Sequence, residues 1–162
     1  MAQPINYFLD QSNGSVDLTL ADGRFIARTQ GKGLLDKPRT IDIALSELER
    51  FCVTPTIAAQ NLVSPRSAGD FSYDAEFIFS YREGSQLKKK RCFVNSRDGS
   101  FKSLLETLQQ ECPGASLLHL DPAEAQKQIG VISASKTIYI ILGVLIGVPV
   151  LIALIVLISK MV

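Results

Sequence analysis

Before Asn95 the chain is dominated by apolar and polar residues alternating with a period of two. Val16, Leu18 and Leu20 are interleaved with Asp17 and Thr19, and Ile41, Ile43 and Leu45 with Asp42 and Ala44. Such alternation places one buried and one solvated face on a β-strand. The longest instance runs from Phe71 to Arg82. There Phe71, Tyr73, Ala75, Phe77, Phe79 and Tyr81 share one face, while Ser72, Asp74, Glu76, Ser80 and Arg82 sit mainly on the other. Core packing is the reading of this aromatic stripe, because a half-buried strand needs such alternation to form a core. Shorter strands are predicted at Ile5–Asp10, Arg24–Thr29, Phe51–Val53 and Leu87–Asn95. Asn13-Gly14 and Asp22-Gly23 are the residue pairs that close tight hairpins. Ser46–Arg50 reads as one helical turn, and Thr54–Asp70, with Pro55, Pro65 and Gly69, as a long loop suited to binding.

After Asn95 the period changes. Phe101, Leu104, Leu105, Leu108 and Cys112 form the single stripe of an amphipathic helix, capped by Asp98 or Ser100 and stopped by Pro113-Gly114. A second, brief helix is predicted after Asp121-Pro122, through about Gln128. From Ile138 to Ile158 no charged or strongly polar side chain interrupts the chain, and about 21 apolar residues suffice to cross a bilayer as a helix. Lys136 and Lys160 flank the run, where long cationic stems reach headgroups. The predicted organisation is a cytoplasmic domain over residues 1–113, a juxtamembrane segment with a short helix over 114–136, and a transmembrane helix over 137–160. Lys127 and Lys136 precede the span and Lys160 follows it, in keeping with positive-inside placement. The amino-terminal residues carry no basic region or apolar stretch of signal-peptide character, so the domain is expected in the cytoplasm, anchored by a single pass near its carboxyl end.

Composition narrows the chemistry. The 162 residues carry a formal net charge of +1, which supplies no global field for nucleic acid. Cys52, Cys92 and Cys112 are odd in number and widely spaced, unlike a disulfide framework or a zinc site, and read as reduced, buried thiols. His119 is the only histidine and reads as a packing or capping residue. None of the short catalytic, phosphate-cradling or metal-binding motifs occurs. The expectation is therefore a non-enzymatic protein without cofactor or metal.

Two constellations remain as candidate sites. Lys88, Lys89, Lys90 and Arg91, with Arg82 across the hairpin, concentrate positive charge. Strand alternation sends Lys88 and Lys90 to one face and Lys89 and Arg91 to the other, as on a solvated edge strand protected against aggregation. The alternative is contact with anionic lipid headgroups or an acidic partner. Within the apolar run, Gly143 and Gly147 form a G-x-x-x-G pair that lets another helix approach closely, and Pro149 bends the backbone beside it. This face is a candidate interface for self-association or for other membrane subunits.

Taken together, L-T-L-A-D-G-R-F-I-A-R, I-D-I-A-L-S-E-L-E-R-F, F-I-F-S-Y-R-E-G-S-Q-L-K-K-K-R-C-F-V and D-G-S-F-K-S-L-L-E-T-L lay out about seven strands in hairpin order and one closing helix. This order resembles the pleckstrin-homology superfold, in particular small PH-like and GRAM-like domains. The resemblance implies a mainly β fold with α, a PH-like antiparallel β-barrel or sandwich closed by an amphipathic helix, and a binding role without catalysis. Families of this superfold that bind phosphoinositides place basic residues in the first hairpin loop. Here that loop is Gln11–Ser15 or Ala21–Gly23, and neither contains lysine or arginine; tryptophan is also absent. The resemblance thus implies the scaffold rather than that ligand site. The expected function is a membrane-anchored interaction module in a membrane assembly, with an anionic-lipid sensor or lipid-transfer component as the alternative.

Overall fold

The computed structural model describes residues 4–11, 14–33, 36–56 and 73–131. They form two antiparallel sheets and two helices. Strands β1 (Ile5–Gln11), β2 (Gly14–Ala21), β3 (Arg24–Gly31) and β4 (Arg39–Ala44) make a four-stranded meander. Strands β5 (Leu48–Pro55), β6 (Ala75–Glu83) and β7 (Gln86–Val94) make a three-stranded one. Neither sheet closes on itself, so the arrangement is a sandwich rather than a barrel. The chain passes from one sheet to the other through a single 3-10 turn, Leu45–Glu47, where a longer turn through Arg50 was expected. Glu47 fixes that turn by accepting from the Ala44 N–H at 3.0 Å.

Hairpin geometry follows the local sequence. Asp22 and Gly23 take φ of 50° and 71°, the left-handed pair whose twist matches that of the flanking strands. The first-sheet register sets Ile5 opposite Leu20, Leu20 opposite Phe25 and Phe25 opposite Ile43, so the period-2 stripes of four strands merge into one apolar face. Phe25 points inward, whereas Ile26, on the alternate position, is half-buried on the outer face.

That face packs against Phe77 and Phe79 of β6. Phe25 meets Phe79 edge-on at 5.2 Å between centroids and Phe77 at 6.1 Å, the geometry favoured by ring quadrupoles. Helix α1 (Gly99–Glu111) closes one side with Phe101, Leu104 and Leu108, all buried. Phe101 lies 5.1 Å from the Tyr7 ring and 5.8 Å from that of Phe77. Asp98 caps α1 as expected, accepting from the N–H groups of Ser100 and Phe101 at 2.8 and 3.3 Å.

The opposite face of the second sheet is also covered. Leu117 N–H donates to the Phe51 carbonyl at 2.9 Å, and helix α2 (Pro122–Ile129) lays Ala125 and Ile129 over Cys52 and Ile78. Asp121 caps α2 by accepting from the Ala123 N–H at 2.9 Å, and Gly130 ends it in the left-handed conformation at φ 73°. Gln126 and Thr54 are both buried and share a hydrogen bond of 3.1 Å. Ile78 and Ser80, at 0% and 2% exposure, therefore lie under a second layer, where the alternating pattern placed Ser80 on a solvated face. The compact unit runs to Val131 and includes the α2 segment that the sequence assigned to a juxtamembrane region.

Ile129→Ala should cost about 2–4 kcal/mol and Phe77→Ala about 3–5 kcal/mol. Phe8→Ala, at a side chain 64% exposed, should stay within about 0.5 kcal/mol. Denaturant titration of the three variants measures this, and a surface-like value for Ile129→Ala would mean that α2 is not docked.

Candidate functional site

The β6–β7 hairpin carries the basic cluster, and its register decides where each cation goes. Lys88 lies opposite Tyr81, Lys90 opposite Phe79 and Cys92 opposite Phe77, which puts these three β7 residues on the side that faces the first sheet. Lys89 and Arg91 lie opposite Ser80 and Ile78, on the side that carries α2. The five cations named from the sequence thus form no single patch. Arg82 is paired with Glu49 and Lys88 with Glu83. Arg91 reaches Glu76 at 3.6 Å. Lys89 donates to the Gly130 carbonyl at 2.8 Å, at the carboxyl end of α2, a position that favours a cation.

Lys90 is different. It is half-buried, and its ammonium donates to the Thr29 hydroxyl at 3.0 Å with no carboxylate in ion-pair range among the described residues. Thr29 is opposite Arg39 in the β3–β4 register. The pair continues the inward face one row beyond Ala27 and Ile41, at the rim where the apolar core stops. Thr29, Gly31, Asp36, Lys37, Arg39 and Lys90 line a groove of about 530 Å³ at this rim. Asp36 is occupied by the local turn, with its Oδ2 accepting from the Gly33 N–H at 3.1 Å. The groove therefore gathers three cations from two sheets.

Lys37 and Arg39 were not among the residues singled out from the sequence. The signal that could have found them is the alternation that places Arg39 in phase with Ile41 and Ile43, hence on the inward face of β4. Tyr73, assigned to the aromatic stripe, precedes β6 and stacks on Phe93 with 4.8 Å between centroids. The loop predicted over Thr54–Asp70 lies mostly outside the described residues, as do Phe71 and the candidate interface Gly143, Gly147 and Pro149. The predicted membrane span also lies outside them; no described helix is long and apolar enough to cross a membrane.

Cys52 and Cys92 are buried, at 1% and 2% exposure, and burial pushes both thiols up to about 11. Cys112 is half-buried, with its thiol raised for the same reason. Burial likewise pushes the Tyr7 hydroxyl up to about 12, although the oxygen accepts from the Asn95 N–H at 2.7 Å. His119 is exposed. Among the described residues no group of three histidine, cysteine or acidic side chains is placed to hold a metal, and neither buried thiol is near a base that would activate it.

Comparison with known proteins gives no match: no family model, no curated protein and no solved structure matches the chain.

The thiols carry a pH signature. Their folded-state values lie above the ordinary 9.0, so the native state holds protons that the unfolded chain releases. The stability they contribute is complete below about pH 9 and is lost as the pH rises toward 11. Cys52→Ala combined with Cys92→Ala should flatten stability against pH across that window by about 2 kcal/mol per thiol. Thermal midpoints taken at stepped pH test this. An unchanged slope would leave the other groups that burial raises, Tyr7, Tyr81 and Cys112, as those responsible.

Proposed function

We propose that this chain is a non-enzymatic, membrane-anchored interaction module. A PH-like domain binds a partner at the cytoplasmic surface, and the run Ile138–Ile158 holds it there as a single transmembrane helix. The observation that carries this reading is the sequence of two parts: a compact unit extending to Val131, then an uninterrupted apolar run of bilayer length. The division of seven strands into four and three, with α1 against the interior, supports the PH-like assignment. Such a scaffold defines no chemistry by itself, and its binding sites lie on its rims and faces.

Anchoring supplies the mechanism. A domain confined to the bilayer surface meets partners in that membrane at a high effective concentration, so a weak contact becomes sufficient. Gly143 and Gly147 add a second contact inside the bilayer, where small residues let helices pack more closely than lipid would. Pro149, lacking an N–H, would leave the Leu145 carbonyl without its helical donor, and a neighbouring helix would shield that carbonyl best. The partners are thus membrane subunits or a second copy of this chain.

Alkaline carbonate washing of membranes should leave the full chain in the pellet and release a variant lacking residues 138–158. Release of the full chain would sink the anchoring. In a membrane association assay, Gly143→Ile with Gly147→Ile should lower helix association at least several-fold, and an undiminished signal would remove that face as the interface. Protease added to sealed membranes from the cytoplasmic side should digest the domain.

A further inference from the structure

Seven of the fourteen described lysines and arginines have a carboxylate partner. Arg24 pairs with Asp42 at 2.8 Å, Arg28 with Asp17 at 3.4 Å and Lys32 with Asp10 at 2.9 Å. Arg82, Lys88, Arg91 and Arg97 also have carboxylate partners. Of the others, Arg50 meets the Gln128 side chain, Lys89 the Gly130 carbonyl, and Lys102 and Lys127 lie on the two helices, whereas Lys37, Arg39 and Lys90 line one groove with no carboxylate partner among the described residues. Lys90 is the telling member. A half-buried ammonium gains stability from an anionic partner, and among the described residues its hydrogen bond goes to the neutral Thr29 hydroxyl.

We propose that the groove between the β3–β4 connection and β7 binds a compact phosphate-bearing anion, with Arg39, Lys90 and Lys37 as its cationic ligands. Lys90 stands on the inner face of β7 and Arg39 on the inner face of β4, so the two charges approach from opposite sheets. A tetrahedral polyanion accepts hydrogen bonds in several directions at once and can be held between them; a guanidinium meets two phosphate oxygens side by side. The Thr29 hydroxyl, already accepting from Lys90, has its own proton to donate to the same ligand. The single acid in the lining, Asp36, has its Oδ2 turned to the Gly33 N–H at 3.1 Å, and three cations against one carboxylate leave the groove net positive. Its volume, about 530 Å³, lies within the range of small-molecule sites. The anion can come from a lipid headgroup or from a soluble phosphate compound, and the groove recognises the chemistry they share.

The site does not depend on Ile138–Ile158 crossing a bilayer. The full chain is tested in phosphatidylcholine nanodiscs if it inserts and free in buffer if it does not, by calorimetric titration with sodium pyrophosphate. A second arm measures co-sedimentation with phosphatidylcholine vesicles with and without phosphatidic acid. Wild type should bind pyrophosphate saturably, more weakly as salt is added. Arg39→Gln and Lys90→Gln should each weaken it about tenfold, with Lys37→Gln, at an exposed position, weakening it less. Lys88→Gln and Lys102→Gln, outside the groove, should bind as wild type. Capture by phosphatidic acid vesicles that needs Arg39 and Lys90 identifies the headgroup as the source. Pyrophosphate binding without vesicle capture identifies a soluble phosphate. Circular dichroism checks that Lys90→Gln is folded, and Lys37→Gln, at an exposed position, keeps the test decisive if it is not. Absence of binding in both arms, or equal binding by wild type and the groove variants, overturns the proposal.

Discussion

Burial of β6 on both faces is the constraint on which the rest of this domain depends. Phe77 and Phe79 point into the sandwich and meet Phe25, while Ile78 and Ser80, on alternate positions, lie under the α2 layer. A strand so enclosed needs all its backbone groups paired, which β5 and β7 supply from either side. It also needs two separate apolar coverings. The first sheet with α1 forms one, and residues 115–131 form the other. Removal of the second would expose Cys52 and Ile78 together and leave the Thr54 hydroxyl without its Gln126 donor. The segment after α1 is thus part of the folding unit and not a loose spacer.

The same enclosure shapes the charge distribution. Because both faces of β6 are covered, the polar residues of the second sheet concentrate on its flanking strands, and β7 carries most of them. Its core-side row reads Cys92, Lys90, Lys88 from the middle of the sandwich outward, passing from a buried thiol to a half-buried ammonium to an exposed one. Polarity rises along the strand as the opposing sheet recedes. Lys90 sits at the crossing point, where its stem covers apolar surface and its head reaches the rim. On the other row, Lys89 and Arg91 hold the edges of the α2 layer, through the Gly130 carbonyl and Glu76. A run that looks uniform in sequence therefore contains one row that braces the α2 layer and another in which Lys90 alone reaches the groove.

Much of the architecture was legible because the local rules agreed with one another. Val16, Leu18 and Leu20 had to share a face, Asp22-Gly23 had to turn, and Asp98 had to cap the stripe beginning at Phe101; each statement concerns neighbours in the chain. What was not legible depends on distant neighbours. Ser80 reads as a solvated position until α2, more than forty residues on, is known to cover it. Lys37 and Arg39 gain a shared setting only when β7 brings Lys90 across from the other sheet. Tyr73 belongs by alternation to the stripe of Phe77, yet Asp74 accepts from the N–H and hydroxyl of Ser96 at 2.6 and 2.8 Å, which ties the chain down before β6 begins. The basic cluster was visible as composition, but its division between ion pairs and groove is a property of register.

The α2 layer also fixes where the chain departs from the domain. Val131 donates its N–H to the Gln126 carbonyl at 2.9 Å and packs against the second core, while Gly130 presents its carbonyl to Lys89. Gly130 suits this point twice over: its left-handed backbone favours the residue without a side chain, and a Cβ there would come within 2.6 Å of the Lys89 ammonium. The exit point is held by the sheet that carries the basic hairpin, where the buried Thr54–Gln126 bond and the contacts of Ile129 fasten α2.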